Sequence, residues 1–259
     1  MKKAKNSERY LLLIGVFLIL GLLCTSTATR AAVWNVGTVQ NLQIALSASQ
    51  NNGEDDIINL AAGFYDVSAT GLTYEPAENF SLTIEGDGAN ITTLDGGLSS
   101  PILTTNNGAH NNASITIRNI TFRRGKNNAI PGQSGLTVST IASITIESCL
   151  FTRNSGGAAF INVFNGGAAT LVNNIFSGND SSGSTVFVQT LIGQMTVVNN
   201  TFIGNRSIQN NTSAVFLESL GGIDVIKVYN NIAWGEFATE ATFKVISVQG
   251  DIALSLIHI

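Results

Sequence analysis

Charge, proline and cysteine are all in short supply in this chain. Charged residues make up 12% of its 259 positions, about half the usual quarter, and the formal net charge is -4. With no block of Lys or Arg, a nucleic-acid partner is excluded, because phosphate contacts need clustered cations. Beyond the first 31 residues the one local gathering of basic residues, Arg118, Arg123, Arg124 and Lys126, reads as a solvated turn. Of the two cysteines, Cys24 lies in a leader, so Cys149 stands alone and no internal disulfide can form. Rigidity must therefore come from hydrogen bonds and packing. What is present is a 44% hydrophobic fraction with 26 Gly and 3 Pro. That is enough apolar side chain to build a core, which excludes a disordered tail.

Lys2, Lys3, Lys5 and Arg9 precede an uncharged apolar stretch from Leu11 to Leu23, followed by Ser26, Ala28, Thr29 and Ala31. This order defines a secretory signal peptide over residues 1–31, cut after Ala28 or Ala31. The apolar stretch is too short to span a hydrocarbon core of about 30 Å, so no transmembrane helix is expected in the mature chain. Leu23 is too bulky for the residue before a lipidated cysteine, which sets Cys24 aside as an anchor. The mature protein, residues 32–259, is expected to be secreted or held at the cell surface.

One phrase then returns along the chain: an alternating apolar pair, a small amide, and Phe followed by Gly or Arg and Asn. It runs from Ile115 to Phe122, from Ile144 to Asn154, from Leu171 to Asn179 and from Val197 to Asn205, with a degenerate copy from Ile226 to Gly235. Its anchors, Phe122, Phe151, Phe176, Phe202 and Ala233, are 29, 25, 26 and 31 residues apart. Such a period marks a solenoid, in which no single repeat buries its apolar face without neighbours.

Between the phrases lie second apolar runs at Leu136 to Val138, Phe160 to Phe164, Val186 to Val188, Val215 to Leu217 and Phe243 to Ile246. None is long enough for a helix, and β-branched residues dominate, which gives about three short strands per turn of chain. The fold class that satisfies this pattern is all-β: a right-handed parallel β-helix of about 25–30 residues per coil, stacked at about 4.8 Å. Before the repeats, Thr38 is placed to cap a short helix carrying Leu42, Ala45, Leu46 and Ser49 on one side. The N-terminal cap covers about 32–67 and the repeats about 80–253. Position-matched Asn119, Asn173, Asn199 and Asn230 are expected in left-handed turns, with their amides bonded from coil to coil and Ser148 breaking the row. A leucine-rich repeat fits less well, because the anchor here is Phe, three residues after the Asn.

The stretch Leu42 to Val67, with Asp56 to Leu60 and Gly63 to Tyr65, resembles the capping region of the pectate-lyase-like parallel β-helix superfamily. Phe151 to Asn154 followed by Gly156 to Ala159 resembles the paired signatures of polymorphic outer-membrane proteins and related bacterial surface β-helices. Asn230 to Gly235 is similar to a phrase found near the end of such proteins. The resemblance implies fold more than activity, since the superfamily holds lyases, hydrolases, adhesins and proteins with no known chemistry.

Lyases of that superfamily need acids for Ca2+ and a Lys or Arg base on one face, and glycosidases need two carboxyls about 5–9.5 Å apart. The acids between 113 and 253 are Glu147, Asp180, Glu218, Asp224, Glu236, Glu240 and Asp251, and they do not recur in one register. Asp55 and Asp56 are expected in a solvated capping loop, pointing apart. His110 sits in a polar loop with no partner acid, and Cys149 is expected to pack at a coil corner rather than act as a nucleophile. A Thr array beginning at Thr116 and Thr145 is expected to stop at Val172 and Val198. No catalytic, cofactor-binding or metal-binding residue is therefore assigned, and no cofactor is implied.

The expected function is that of an exported, non-catalytic bacterial β-helix that binds a polysaccharide or another cell-surface component. The alternative is a polysaccharide lyase or glycoside hydrolase with its site in long loops such as Gly125 to Gly135 or Ser207 to Thr212. The closing Leu254 to Ile259 stops in mid-strand and is similar to translated sequencing-adaptor read-through. The chain is thus expected to continue past about Ala253 in a longer protein.

Overall fold

The computed structural model describes residues 31–107, 113–127, 133–207, 214–221, 224–235, 237–238, 243–247 and 250–258, with Asp224 and residues from 237 onward as backbone alone. The leader, His110, Glu236, Glu240 and the interiors of the 125–135 and 207–212 loops lie outside the described residues.

From Ala32 the chain winds as a right-handed parallel β-helix of about 7 turns, with one short helix near its start. Each complete coil contributes a strand to each of three ribs. The first rib contains Leu82–Gly86, Ile115–Arg118, Ile144–Glu147, Ala168–Val172 and Gln194–Val198, all paired in parallel. The second contains Thr92–Asp95, Thr121–Arg123, Leu150–Thr152, Ile175–Ser177 and Thr201–Ile203. Strand Asp224–Trp234 runs through the corner between these ribs and joins them into one 15-stranded sheet. The third rib is a 7-stranded sheet including Leu136–Thr140, Ala159–Val163, Val186–Thr190 and Val215–Ser219.

Alternation within each strand decides what faces inward. Ile144, Ile146, Phe151, Phe176, Val197 and Phe202 are each 0% exposed. The anchor aromatics form one column, with ring centroids 4.8, 4.9 and 4.9 Å apart from Phe122 through Phe151 and Phe176 to Phe202. That spacing is the strand separation of a sheet. Register continues the column upward to Leu94 and Tyr65 and downward to Ala233. Burial of each ring contributes about 1.5–3 kcal/mol.

The helix, Val39–Ala48, begins as its sequence requires. Thr38 is extended and its hydroxyl accepts the Asn41 N–H, while Leu42, Ala45 and Leu46 are buried. Tyr65 and Tyr74 tie this end together, their hydroxyls donating to the carbonyls of Val36 and Ser49.

At the corner after the first rib, Asn119, Ser148, Asn173, Asn199 and Asn230 all adopt left-handed backbone, with φ from +53° to +60°. The expectation that the amides of this row form the ladder from coil to coil is corrected. Asn173, Asn199 and Asn230 are exposed, and the buried ladder is made one residue later by Asn174, Asn200 and Asn231. At this corner the residue after the left-handed one points inward in each coil, as the buried Ile120, Cys149, Asn174, Asn200 and Asn231 show. Asn174 Nδ2 donates to Asn200 Oδ1 at 3.0 Å, and Asn200 Nδ2 donates to Asn231 Oδ1 at 3.0 Å. A second ladder, Asn154, Asn179 and Asn205, closes the corner after the second rib with bonds of 2.9 and 2.8 Å.

Candidate functional site

With the interior filled, recognition is left to the outward positions. On the third rib these build an aromatic ridge. Phe160, Phe187 and Phe216 share one register, with ring centroids 4.8 and 5.3 Å apart and planes within 9°. Their faces cover one another, so the edges of the stack form the half-buried outer surface. Thr73, Thr104 and Thr137 continue the row in the preceding coils.

Beside the ridge, two residues along each strand, runs a polar row of Ser139, Asn162, Gln189 and Glu218. Gln189 Nε2 donates to Glu218 Oε2 at 2.6 Å, which fixes both side chains. Asn162 Oδ1 is buried without a hydrogen-bond partner, a costly state for an acceptor unless something satisfies it. Ridge and row together offer an extended ligand the same apolar edge and the same kind of hydrogen-bonding group once per coil.

The outward face of the first rib differs. Thr83, Thr116, Thr145, Thr170 and Thr196 lie in one continuous register. This corrects the expectation that the array stops at Val172 and Val198, which occupy the next outward column. Upstream that column holds Asn59, Glu85, Arg118 and Glu147, and Arg118 pairs with Glu85 at 2.6 Å.

On the second rib, Asp95 is the centre of a charged cluster. Its side chain is 1% exposed and accepts from Arg123 Nε at 2.6 Å and Arg124 Nε at 2.9 Å. Burial pushes its pKa up, but the bonds from Arg124, the Gly97 N–H and Arg123 outweigh this and hold it below the ordinary value. Arg118, Arg123 and Arg124 are therefore ion-paired across coils and not a simply solvated turn.

Most other carboxylates of the first coils are also engaged in structure. Asp55 accepts the Ser81 N–H, Asp87 accepts the Ala62 N–H, and Glu78 accepts the N–H groups of Asn52 and Gly53. Asp55 and Asp56 point apart as expected, but Asp56 is buried, 2% exposed, and accepts from Trp34 Nε1 and Asn52 Nδ2. Among the described residues no group of three or more His, Cys, Asp or Glu could hold a metal ion. Cys149 packs in the place an amide takes in later coils, and burial pushes its thiol up to about 12. It stays protonated and unreactive near neutral pH.

Comparison with known proteins is sparse. No protein-family model and no curated protein matches the chain. Among solved structures it is similar to the PL6 family alginate lyase AlyGC, at 13% identity and a TM-score of 0.42, over 90% of this chain and 40% of that one. The chain thus spans less than half the length of that lyase. Among the described residues no helix is long and apolar enough to cross a membrane.

Proposed function

We propose that this is an exported β-helix that binds an extended glycan along its third rib and carries out no reaction on it. The carrying observation is the Phe160, Phe187 and Phe216 ridge running beside Ser139, Asn162, Gln189 and Glu218. A linear polymer laid along the solenoid axis meets apolar edge and hydrogen-bonding groups together, the combination by which polar ligands with apolar faces are held. The structural engagement of the carboxylates supports a binding role over acid–base chemistry. Export follows from the leader sequence, and a cell-surface or secreted location is part of the proposal.

Binding to a panel of plant and microbial polysaccharides tests this reading. Phe187→Ala should weaken the best ligand about tenfold, or about 1.4 kcal/mol, while Thr196→Ala on the first rib leaves it unchanged. Release of unsaturated uronides in a calcium-dependent manner would replace the proposal with a polysaccharide lyase.

A further inference from the structure

A groove of about 390 Å³ on the second rib is lined by Asn90, Thr93, Thr121, Arg123, Thr152 and Arg153. We propose that it is an oxyanion site, with Arg123 and Arg153 receiving a carboxylate or sulfate group of an acidic polymer. The proposal is independent of the third-rib face.

Arg123 is already oriented for this. Its Nε is tied to Asp95 at 2.6 Å, and its guanidinium lies 5.5 Å from the centre of the Phe64 ring. Asp95 is itself fixed by the Gly97 N–H at 2.8 Å and by Arg124. A guanidinium held at Nε keeps its terminal nitrogens for an incoming oxyanion, and the planar fork matches a carboxylate or sulfate edge. Register sets Thr93 beside Thr121 and Thr152 beside Arg123; the Thr121 hydroxyl is committed to the Ala89 carbonyl, so Thr93 and Thr152 are the hydroxyls offered from adjacent coils.

Arg153 supplies an independent observation. It sits in the left-handed region at φ +55°, where the equivalent corners of the later coils carry Gly178, Gly204 and Gly235 at φ +59°, +59° and +62°. Open space surrounds the Cβ position of Gly178 and Gly204, so glycine is favoured there by backbone conformation alone. Arg124 has the same strained conformation, at φ +54°, and is compensated by its pair with Asp95. Arg153 is exposed, and no such ion pair is described for it. Backbone strain retained beside a groove without a structural return points to function. The local charge agrees: Arg123, Arg124 and Arg153 outnumber Asp66 and Asp95, on a chain whose net charge is -4.

Calorimetric titration of the full chain with carboxymethyl-dextran, dextran sulfate and neutral dextran tests the site. Binding of a charged dextran and not of the neutral one is expected, and the charged form preferred identifies the group as carboxylate or sulfate. Arg153→Gly should weaken that binding about tenfold while raising the thermal midpoint by about 2–4 °C. Arg123→Lys keeps the charge but loses the fork, and should also weaken binding. Arg206→Gln, at an exposed arginine elsewhere, should change nothing. Undiminished binding by Arg153→Gly, or an equal loss with Arg206→Gln, overturns the proposal.

Discussion

Asn174 and Asn200 are bonded so that one side chain satisfies the turn of two coils. Asn200 Oδ1 accepts both the backbone N–H and Nδ2 of Asn174, at 2.9 and 3.0 Å, while Asn200 Nδ2 donates to the Leu171 carbonyl at 2.9 Å. Asn174 does the same one coil earlier, accepting the Cys149 N–H at 3.0 Å and donating to the Ile146 carbonyl at 2.9 Å. Corner backbone groups that water cannot reach are thereby paired.

Replacing Asn200 by Ala should therefore be costly, since each buried group left unpaired costs about 1–3 kcal/mol. Its neighbour Asn199 is exposed and left-handed at φ +56°, so Asn199→Gly should be neutral or slightly stabilising. Urea unfolding of the two variants checks this. Similar losses from both would contradict the assignment of the ladder to the second Asn.

The inward column gives a sharper contrast. Phe176 is 0% exposed and stacked on both sides, so Phe176→Ala should lose about 3–5 kcal/mol. Thr145 lies outward in the Thr row, and Thr145→Ala should stay within about 0.5 kcal/mol. Comparable shifts in the urea midpoint would reverse the inward and outward faces.

Cys149 makes stability depend on alkaline pH. Its thiol is held near 12 in the folded chain and titrates at about 8.5 when unfolded. The folded pKa is the higher, so the stabilisation is complete below the unfolded value and is lost as pH rises. Between about pH 9 and 10 stability should fall by about 1.4 kcal/mol per pH unit. Above that the tyrosines Tyr65 and Tyr74, also raised by burial, add to the loss. Unfolding followed against pH should show this slope in the native chain and not in Cys149→Ala.

The winding was legible because one anchor recurs at a nearly fixed distance, and every anchor from Phe122 to Ala233 falls in one column. The Asn rows were misassigned because two identical residues stand side by side with opposite roles. Ile120 and Cys149, at the second position in other coils, carried the signal: apolar side chains there require that position to point inward. The Thr row is continuous in the sequence, each of Thr116, Thr145, Thr170 and Thr196 standing six residues before its anchor, and the expectation that it stops at Val172 and Val198 mixes two outward columns that lie two residues apart. The third-rib ridge was not. Phe160, Phe187 and Phe216 follow their anchors by 9, 11 and 14 residues, so the period does not place them in register. Only the sheet pairing does. The Asp95 cluster escaped notice because its arginines come from the next coil, 28 and 29 residues later.

Those uneven intervals show where such a chain can change length. The stretch from the first rib through the second Asn corner is locked by paired amides and stacked rings, so an added residue there would break bonds in two neighbouring coils. Between that corner and the third rib, lengths already differ from coil to coil, and the strands still meet in register. Because each coil offers its successor the same acceptors and donors that it receives, a duplicated coil would find every corner bond already provided. Growth by copying whole coils, with divergence confined to the loop that enters the third rib, is the evolutionary path this architecture leaves open.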